Sequence, residues 1–166
     1  SVRRKYLGRH CLGSRHGYAT LRKTQKRKFT ISKETRISQI HLISLFPPNQ
    51  PKVDRCFKLG RSIARAVTAW ESHKTVAIVA SGGLTHFAID EELDRQVLNA
   101  LQRRAVPELL DIPEKILVSG TSEIKNWITA CGALMDSELK MEVLDYIPCY
   151  RSEAGTGVGC ACAIWS

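Results

Sequence analysis

Short apolar runs alternate with segments of helical periodicity from residue 39 onward, and this alternation limits the chain to folds that mix helices and strands. The run at 75–80 (Thr-Val-Ala-Ile-Val-Ala) predicts a strand covered on both faces, because a half-exposed strand would alternate polar and apolar residues. Residues 39–46 predict a strand that stops at the prolines after it, and 141–147 and 155–165 predict two more. The sequence therefore predicts an α/β fold of three layers, α/β/α, with a mixed, partly parallel sheet.

Three longer helices are predicted between these strands. The first is amphipathic, runs for about three or four turns and has its apolar periodicity from Phe57 onward. The second has Asp90 as its N-cap. The third has Thr121 or Ser122 as its N-cap, and Glu123 then lies in its first turn. The inner faces of the second and third helices are apolar: Leu93, Val97, Leu98 and Leu101, then Ile124, Trp127, Ile128 and Cys131.

The positive charge is concentrated at the N-terminus. Residues 1–36 contain 12 basic residues against the single acidic Glu34, and the remaining 130 residues carry 13 basic and 15 acidic groups. We predict a basic, poorly ordered arm at 1–38 and a nearly neutral domain at 39–166. Any attraction to a polyanion would come from the arm alone.

The cysteines and the hydropathy exclude several other classes of protein. The six cysteines form no CxxC pair and no zinc-type spacing, which favours buried, reduced thiols in a cytoplasmic protein. No apolar run approaches the roughly 20 residues that cross a bilayer, and no secretory apolar stretch is present. We therefore expect no membrane partner. A hydrolase is disfavoured because no GxSxG motif occurs.

Two glycine-containing motifs carry the side chains most capable of chemistry. Ser-Gly-Gly-Leu-Thr-His at 81–86 ends in His86, whose imidazole can gain or lose a proton near neutral pH. Ser-Gly-Thr-Ser-Glu at 119–123 ends in Glu123. Taken alone, the residues favour the plainer interpretation: His86 is a loop histidine that caps a strand end or binds a carbonyl, and Glu123 is an ordinary first-turn glutamate favoured by the helix dipole. Lys125 and Asn126 are predicted to be solvated or to bond locally, Trp127 to pack in the core, and none to be catalytic.

These motifs resemble those of the class III extradiol ring-cleavage dioxygenases, in the branch of the protocatechuate 4,5-dioxygenase β-subunit and gallate dioxygenase. The resemblance lies in 76–87, 90–94, 119–127 and 145–157. With Pro-Pro-Asn-Gln-Pro at 47–51 and Arg-Cys-Phe-Lys-Leu-Gly at 55–60, it covers about residues 39–166 in the family's order.

The resemblance implies a mononuclear non-haem Fe(II) held by two histidines and one carboxylate, which leaves positions open for the substrate and O2. Glu123 stands where the family has its carboxylate ligand, and His86 where it has an acid/base beside the substrate. The implied reaction is cleavage of the aromatic ring of a small catecholic acid. The implied partners are a separate small subunit or further copies of the chain.

The chain departs from the family in the two histidine ligands. The family's ligands lie in its N-terminal half, and their sequence contexts are not found here; His10, His16 and His41 have other neighbours. We therefore expect the C-terminal part of a dioxygenase, truncated or joined to a foreign N-terminal sequence, that binds iron weakly and is inactive alone.

The alternative is a non-catalytic interaction module whose basic arm binds nucleic acid or an acidic partner. Nucleic acid is disfavoured, because Tyr6, Tyr18 and Phe29 are the arm's only aromatic residues.

Overall fold

The structure is a computed structural model that describes residues 5–6, 36–42, 44–45 and 47–166. The chain divides into two compact units, residues 1–10 with 42–166 and residues 11–41. The described residues of the second unit, 36–41, are exposed and have no regular structure. The helices of the first unit are α1 (Val53–Ala69), α2 (Glu91–Arg103), α3 (Val106–Leu110), a 3-10 turn (Ser119–Glu123) and α4 (Ile124–Leu134). Its strands are β1 (Lys5–Tyr6), β2 (Ala77–Ile78), β3 (His86–Ala88), β4 (Met141–Tyr150) and β5 (Thr156–Trp165).

The main sheet has three antiparallel strands in the order β3-β5-β4. The predicted strands at 141–147 and 155–165 are confirmed, and the second of them is central. The mixture of helices and strands is also confirmed. In the part of the chain described, the only parallel pairing joins β1 to β2, two residues each. The three-layer arrangement with a partly parallel sheet therefore stays a prediction.

The three predicted helices form, as α1, α2 and α4, and build the core with the sheet. Asp90 caps α2 by accepting a hydrogen bond from Leu93 N, and the predicted inner faces of α2 and α4 are buried apart from the half-buried Leu93. Helix α1 packs on α4 where Gly60 and Gly132 meet the backbone of the opposite helix, so closely that a Cβ at either position would overlap it. This contact fixes α4, and with it the 3-10 turn that precedes it.

One predicted strand is wrong, and another is shorter and less covered than predicted. Of 39–46, the described residues are not in a strand, because the segment pairs with no described strand. Of 75–80, only Ala77–Ile78 is a strand, and the side chain of Val79 is 55% exposed. An apolar run shows that a strand can be covered on both faces, but the covering elements lie elsewhere in the chain. In the described residues they cover β2 only partly.

The predicted cap of α4 is also wrong. Thr121 and Ser122 belong to the 3-10 turn, α4 begins at Ile124, and Glu123 is the last residue of the turn. The hydroxyl groups expected to cap the helix bind other segments instead. Thr121 Oγ1 accepts a hydrogen bond from His86 N, and Ser122 Oγ lies 3.0 Å from Ser44 Oγ.

The prediction of buried thiols holds for part of the cysteines. Cys56 and Cys131 are buried, and burial raises the pKa of each thiol to about 11. Cys149, Cys160 and Cys162 are only half-buried, because the face of the sheet that carries them is incompletely covered. Cys11 lies outside the described residues.

Among the described residues, no helix is long and apolar enough to cross a membrane. The cytoplasmic location and the boundary between an arm at 1–38 and a domain at 39–166 stay predictions. Most of the basic arm lies outside the described residues.

Candidate active site

His86 is held where β3 begins, and its backbone and its ring are both fixed. Its N–H donates to Thr121 Oγ1 at 3.0 Å, which ties β3 to the 3-10 turn. Its imidazole lies between two glycines: a Cβ at Gly83 would come within 2.8 Å of the ring's Cε1, and one at Gly120 within 2.7 Å of its Cγ. The glycines of both motifs therefore make the space that the imidazole fills.

The two ring nitrogens of His86 have different surroundings. Nδ1 lies 3.0 Å from the carbonyl oxygen of Leu84. A carbonyl oxygen can only accept, so the proton of this hydrogen bond is on Nδ1. In the neutral ring Nε2 then carries the lone pair. The fold thus selects the tautomer in which Nε2 can accept a proton.

Glu123 approaches His86 from the end of the 3-10 turn. Its Oε2 accepts a hydrogen bond from Gly83 N at 2.6 Å, while its side chain stays 40% exposed. Gly82, at φ 149°, allows this approach, since a Cβ there would lie 2.9 Å from Oε2. The hydrogen bond fixes one carboxylate oxygen.

The structure brings the two predicted site residues together: His86 Nε2 lies 3.5 Å from Glu123 Oε2. Both atoms are acceptors when the ring is neutral, so they are favourably placed only when a proton, a cation or a ligand hydroxyl lies between or beside them. The pair can accept a proton from a bound hydroxyl group or contribute to the binding of a cation.

Two residues with no predicted catalytic role, Asn126 and Trp127, hold the glycine loop of the site. Asn126 Nδ2 donates to the carbonyl oxygen of Ser81 at 2.7 Å, and Trp127 Nε1 donates to that of Gly82 at 3.0 Å. With the bond from Gly83 N to Glu123, three side chains at the end of the 3-10 turn and the start of α4 bind three consecutive loop residues. Trp127 is buried as predicted, but it also has this polar contact. The sequence offers no signal for contacts that span about 40 positions or more.

The described residues do not complete an iron site. They contain no group of three or more histidine, cysteine, aspartate or glutamate side chains that could hold a metal ion. His10 and His16 lie outside the described part of the chain. His41 belongs to the second compact unit. Glu123 could supply one ligand, but a two-histidine, one-carboxylate set is not assembled from the residues described.

An α/β chain that brings an imidazole and a carboxylate together at the ends of regular elements, beside glycines, has the features of an enzyme active site. The family model for the catalytic LigB subunit of aromatic ring-opening dioxygenase matches residues 29–157, more than three quarters of the chain, and the chain belongs to this family. It is thus a member of a dioxygenase-type enzyme family that acts on aromatic rings. Comparison with curated proteins finds no match. The prediction of an aromatic ring-opening dioxygenase family is confirmed. Extradiol cleavage and the protocatechuate and gallate branch stay predictions.

Proposed function

We propose that the chain is the C-terminal part of a non-haem Fe(II) extradiol dioxygenase that cleaves the ring of a small catecholic acid. His86 is the acid/base of this proposal, and Glu123 is its carboxylate ligand. The predicted three-layer fold and a small subunit or further copies of the chain belong to the same proposal. The observation that carries it is the 3.5 Å between His86 Nε2 and Glu123 Oε2, in a chain of the ring-opening family.

His86 suits proton transfer because its tautomer is determined by the backbone. With Nδ1 donating to Leu84, Nε2 is the atom that accepts the proton of a substrate hydroxyl and later returns it. The ring is fixed between Gly83 and Gly120, so the base needs little reorganisation when substrate arrives.

Glu123 suits a ligand role because its two oxygens have different tasks. Oε2 is fixed by Gly83 N, which orients the carboxylate and leaves Oε1 for a cation. The remaining ligands have to come from outside the described residues. We therefore expect the isolated chain to bind Fe(II) weakly.

Anaerobic equilibrium dialysis with Fe(II) tests the ligand role. The native chain should bind weakly, Glu123→Gln should lose this binding, and the matched control Glu153→Gln, in the exposed turn between β4 and β5, should keep it. Equal binding by all three would contradict a role for Glu123.

A second assay tests whether the site is incomplete. After anaerobic loading with Fe(II), addition of O2 with protocatechuate or gallate should give no detectable yellow ring-opened product. Robust turnover by the isolated chain would overturn the incomplete site while leaving the family assignment intact.

A further inference from the structure

Asp94 is a charged residue on the apolar face of a helix. It lies on α2 at i, i+3, i+4 and i+7 spacing with Val97, Leu98 and Leu101, and it is fully buried, with 0% of its surface exposed. Burying a carboxylate is strongly unfavourable unless hydrogen bonds replace its water. An apolar residue would fill this position without that cost, so the carboxylate has to be explained by what it binds.

Both oxygens of Asp94 bind the residue before His86. Oδ1 accepts from Thr85 N at 2.8 Å, and Oδ2 accepts from Thr85 Oγ1 at 3.0 Å. Oδ2 also accepts from Tyr146 OH at 2.8 Å, which links the network to β4. Gly159 on β5 makes room for the carboxylate, since a Cβ there would overlap Oδ2. Three donors converge on one buried group.

Thr85 has every polar atom engaged as a result. Its N and Oγ1 donate to Asp94, its Oγ1 also accepts from Asp90 N at 3.0 Å, and its carbonyl oxygen accepts from Gly159 N at 2.8 Å. Leu84 N donates to the carbonyl oxygen of Gly159, also at 2.8 Å. The backbone at 84–85 is therefore fixed on both sides, and the Leu84 carbonyl that binds His86 Nδ1 is part of this fixed segment.

We propose that Asp94 is a positioning residue for His86: by fixing Thr85 it aims the Leu84 carbonyl at Nδ1 and so keeps the lone pair on Nε2. The inference rests on the proposed acid/base role of His86. It adds that a residue on another element, α2, holds His86 in the geometry which that role requires. Burial raises the pKa of Asp94 while its three donors oppose that rise, and all three bonds are of the kind that a carboxylate accepts.

The test reads the tautomer of His86 by 15N NMR of its imidazole, in the pH range where the ring signals no longer change as the pH is raised, so that the ring is neutral. It requires neither iron nor substrate, so its outcome is independent of whether the chain opens aromatic rings. His73, which is exposed, serves as an internal reference. In the native chain His86 should show a protonated Nδ1 and an unprotonated Nε2.

Three variants separate positioning from mere stabilisation. Asp94→Asn and Thr85→Val disturb the bonds between the two residues, and the His86 signals should shift toward the tautomer mixture of His73. Tyr146→Phe removes a donor from the same carboxylate but leaves both Thr85 bonds, so His86 should keep the native pattern. If Asp94→Asn fails to fold, Thr85→Val decides. A native His86 pattern in folded Asp94→Asn or, failing that, in Thr85→Val would overturn the proposal.

Discussion

Gly120 lies directly against the imidazole of His86: a Cβ at position 120 would come within 2.6 Å of His86 Cβ. Gly120→Ala should therefore displace the histidine and destabilise the fold by about 1–3 kcal/mol, the usual cost of overpacking. Urea unfolding measures the stability, and the His86 imidazole signals in NMR report the displacement. Ala88→Val, at an exposed position of β3, the strand that carries His86, is the control. It should change the stability and the His86 signals little. An unchanged His86 signal in Gly120→Ala would contradict the tight contact.

Lys125 is predicted from sequence to be solvated or locally bonded, yet its side chain is only 1% exposed and its Nζ lies 3.0 Å from Glu114 Oε2. The other oxygen of Glu114 accepts from Val53 N at the start of α1. Glu114→Ala should cost about 2–3 kcal/mol of unfolding free energy, because it leaves a buried ammonium group unpaired while Glu114 itself is partly solvated.

The matched control for that variant is Glu108→Ala, which breaks an exposed ion pair with Arg103. It should cost less than about 1 kcal/mol. Equal losses for the two variants in thermal or urea unfolding would show that the Lys125 pair is no more important than a surface pair.

Asp94 should make stability depend on pH in a defined direction. Its pKa is raised by burial, so the folded chain holds the proton more tightly than the unfolded chain. The stabilisation that the protonated Asp94 gives to the fold is complete below its pKa in the unfolded chain, about 4. It is lost as the pH rises through the higher pKa of Asp94 in the folded chain. The unfolding free energy of the native chain should thus fall relative to Asp94→Asn over this interval. Parallel curves in urea titrations at several pH values would contradict the raised pKa.

The titratable neighbours of Asp94 do not account for the expected pH dependence of stability. Tyr146, whose pKa is raised by burial and by the adjacent carboxyl, stays protonated throughout the interval. Asp90 raises the pKa of Asp94 only weakly compared with burial. In a Tyr146→Phe background, the unfolding free energy should still fall relative to the double variant Tyr146→Phe, Asp94→Asn as the pH rises.

The buried thiols should resist modification. A thiol with a pKa of about 11, as in Cys56 and Cys131, is ionised in roughly one molecule in a thousand at about pH 8. Both should react with iodoacetamide only after denaturation, as measured by peptide mass spectrometry. Labelling of either residue in the folded chain as fast as in urea would show that it is accessible.

Local signals in the sequence predict the helices well. The Asp90 cap and the inner faces of α2 and α4 follow from capping chemistry and from the 3.6-residue period. The strand predicted at 75–80 is only Ala77–Ile78, because an apolar run does not specify which elements will cover it. The predicted cap of α4 is wrong because the Thr121 hydroxyl can accept a hydrogen bond either from the helix or from another segment. In the structure it accepts from His86 N, which lies 35 positions away and gives no local signal.

The sequence predicts the residues of the candidate site, but it does not predict most of the contacts that hold them in place. His86 and Glu123 stand out because each follows glycines at the end of an element. The contacts of Asn126 and Trp127 with the glycine loop have no local signal. Asp94 had one: an acidic residue at i, i+3, i+4 and i+7 spacing with apolar residues predicts a buried carboxylate with specific partners.

Mn2+ gives the most direct test of whether His86 and Glu123 share one site, because it binds carboxylate ligands such as Glu123 and broadens the NMR signals of nearby nuclei. Substoichiometric Mn2+ should selectively broaden the His86 imidazole and Gly83 amide signals. Glu123→Gln should abolish this effect and Glu153→Gln should preserve it. Broadening that omits His86, or that persists unchanged in Glu123→Gln, would contradict a common site.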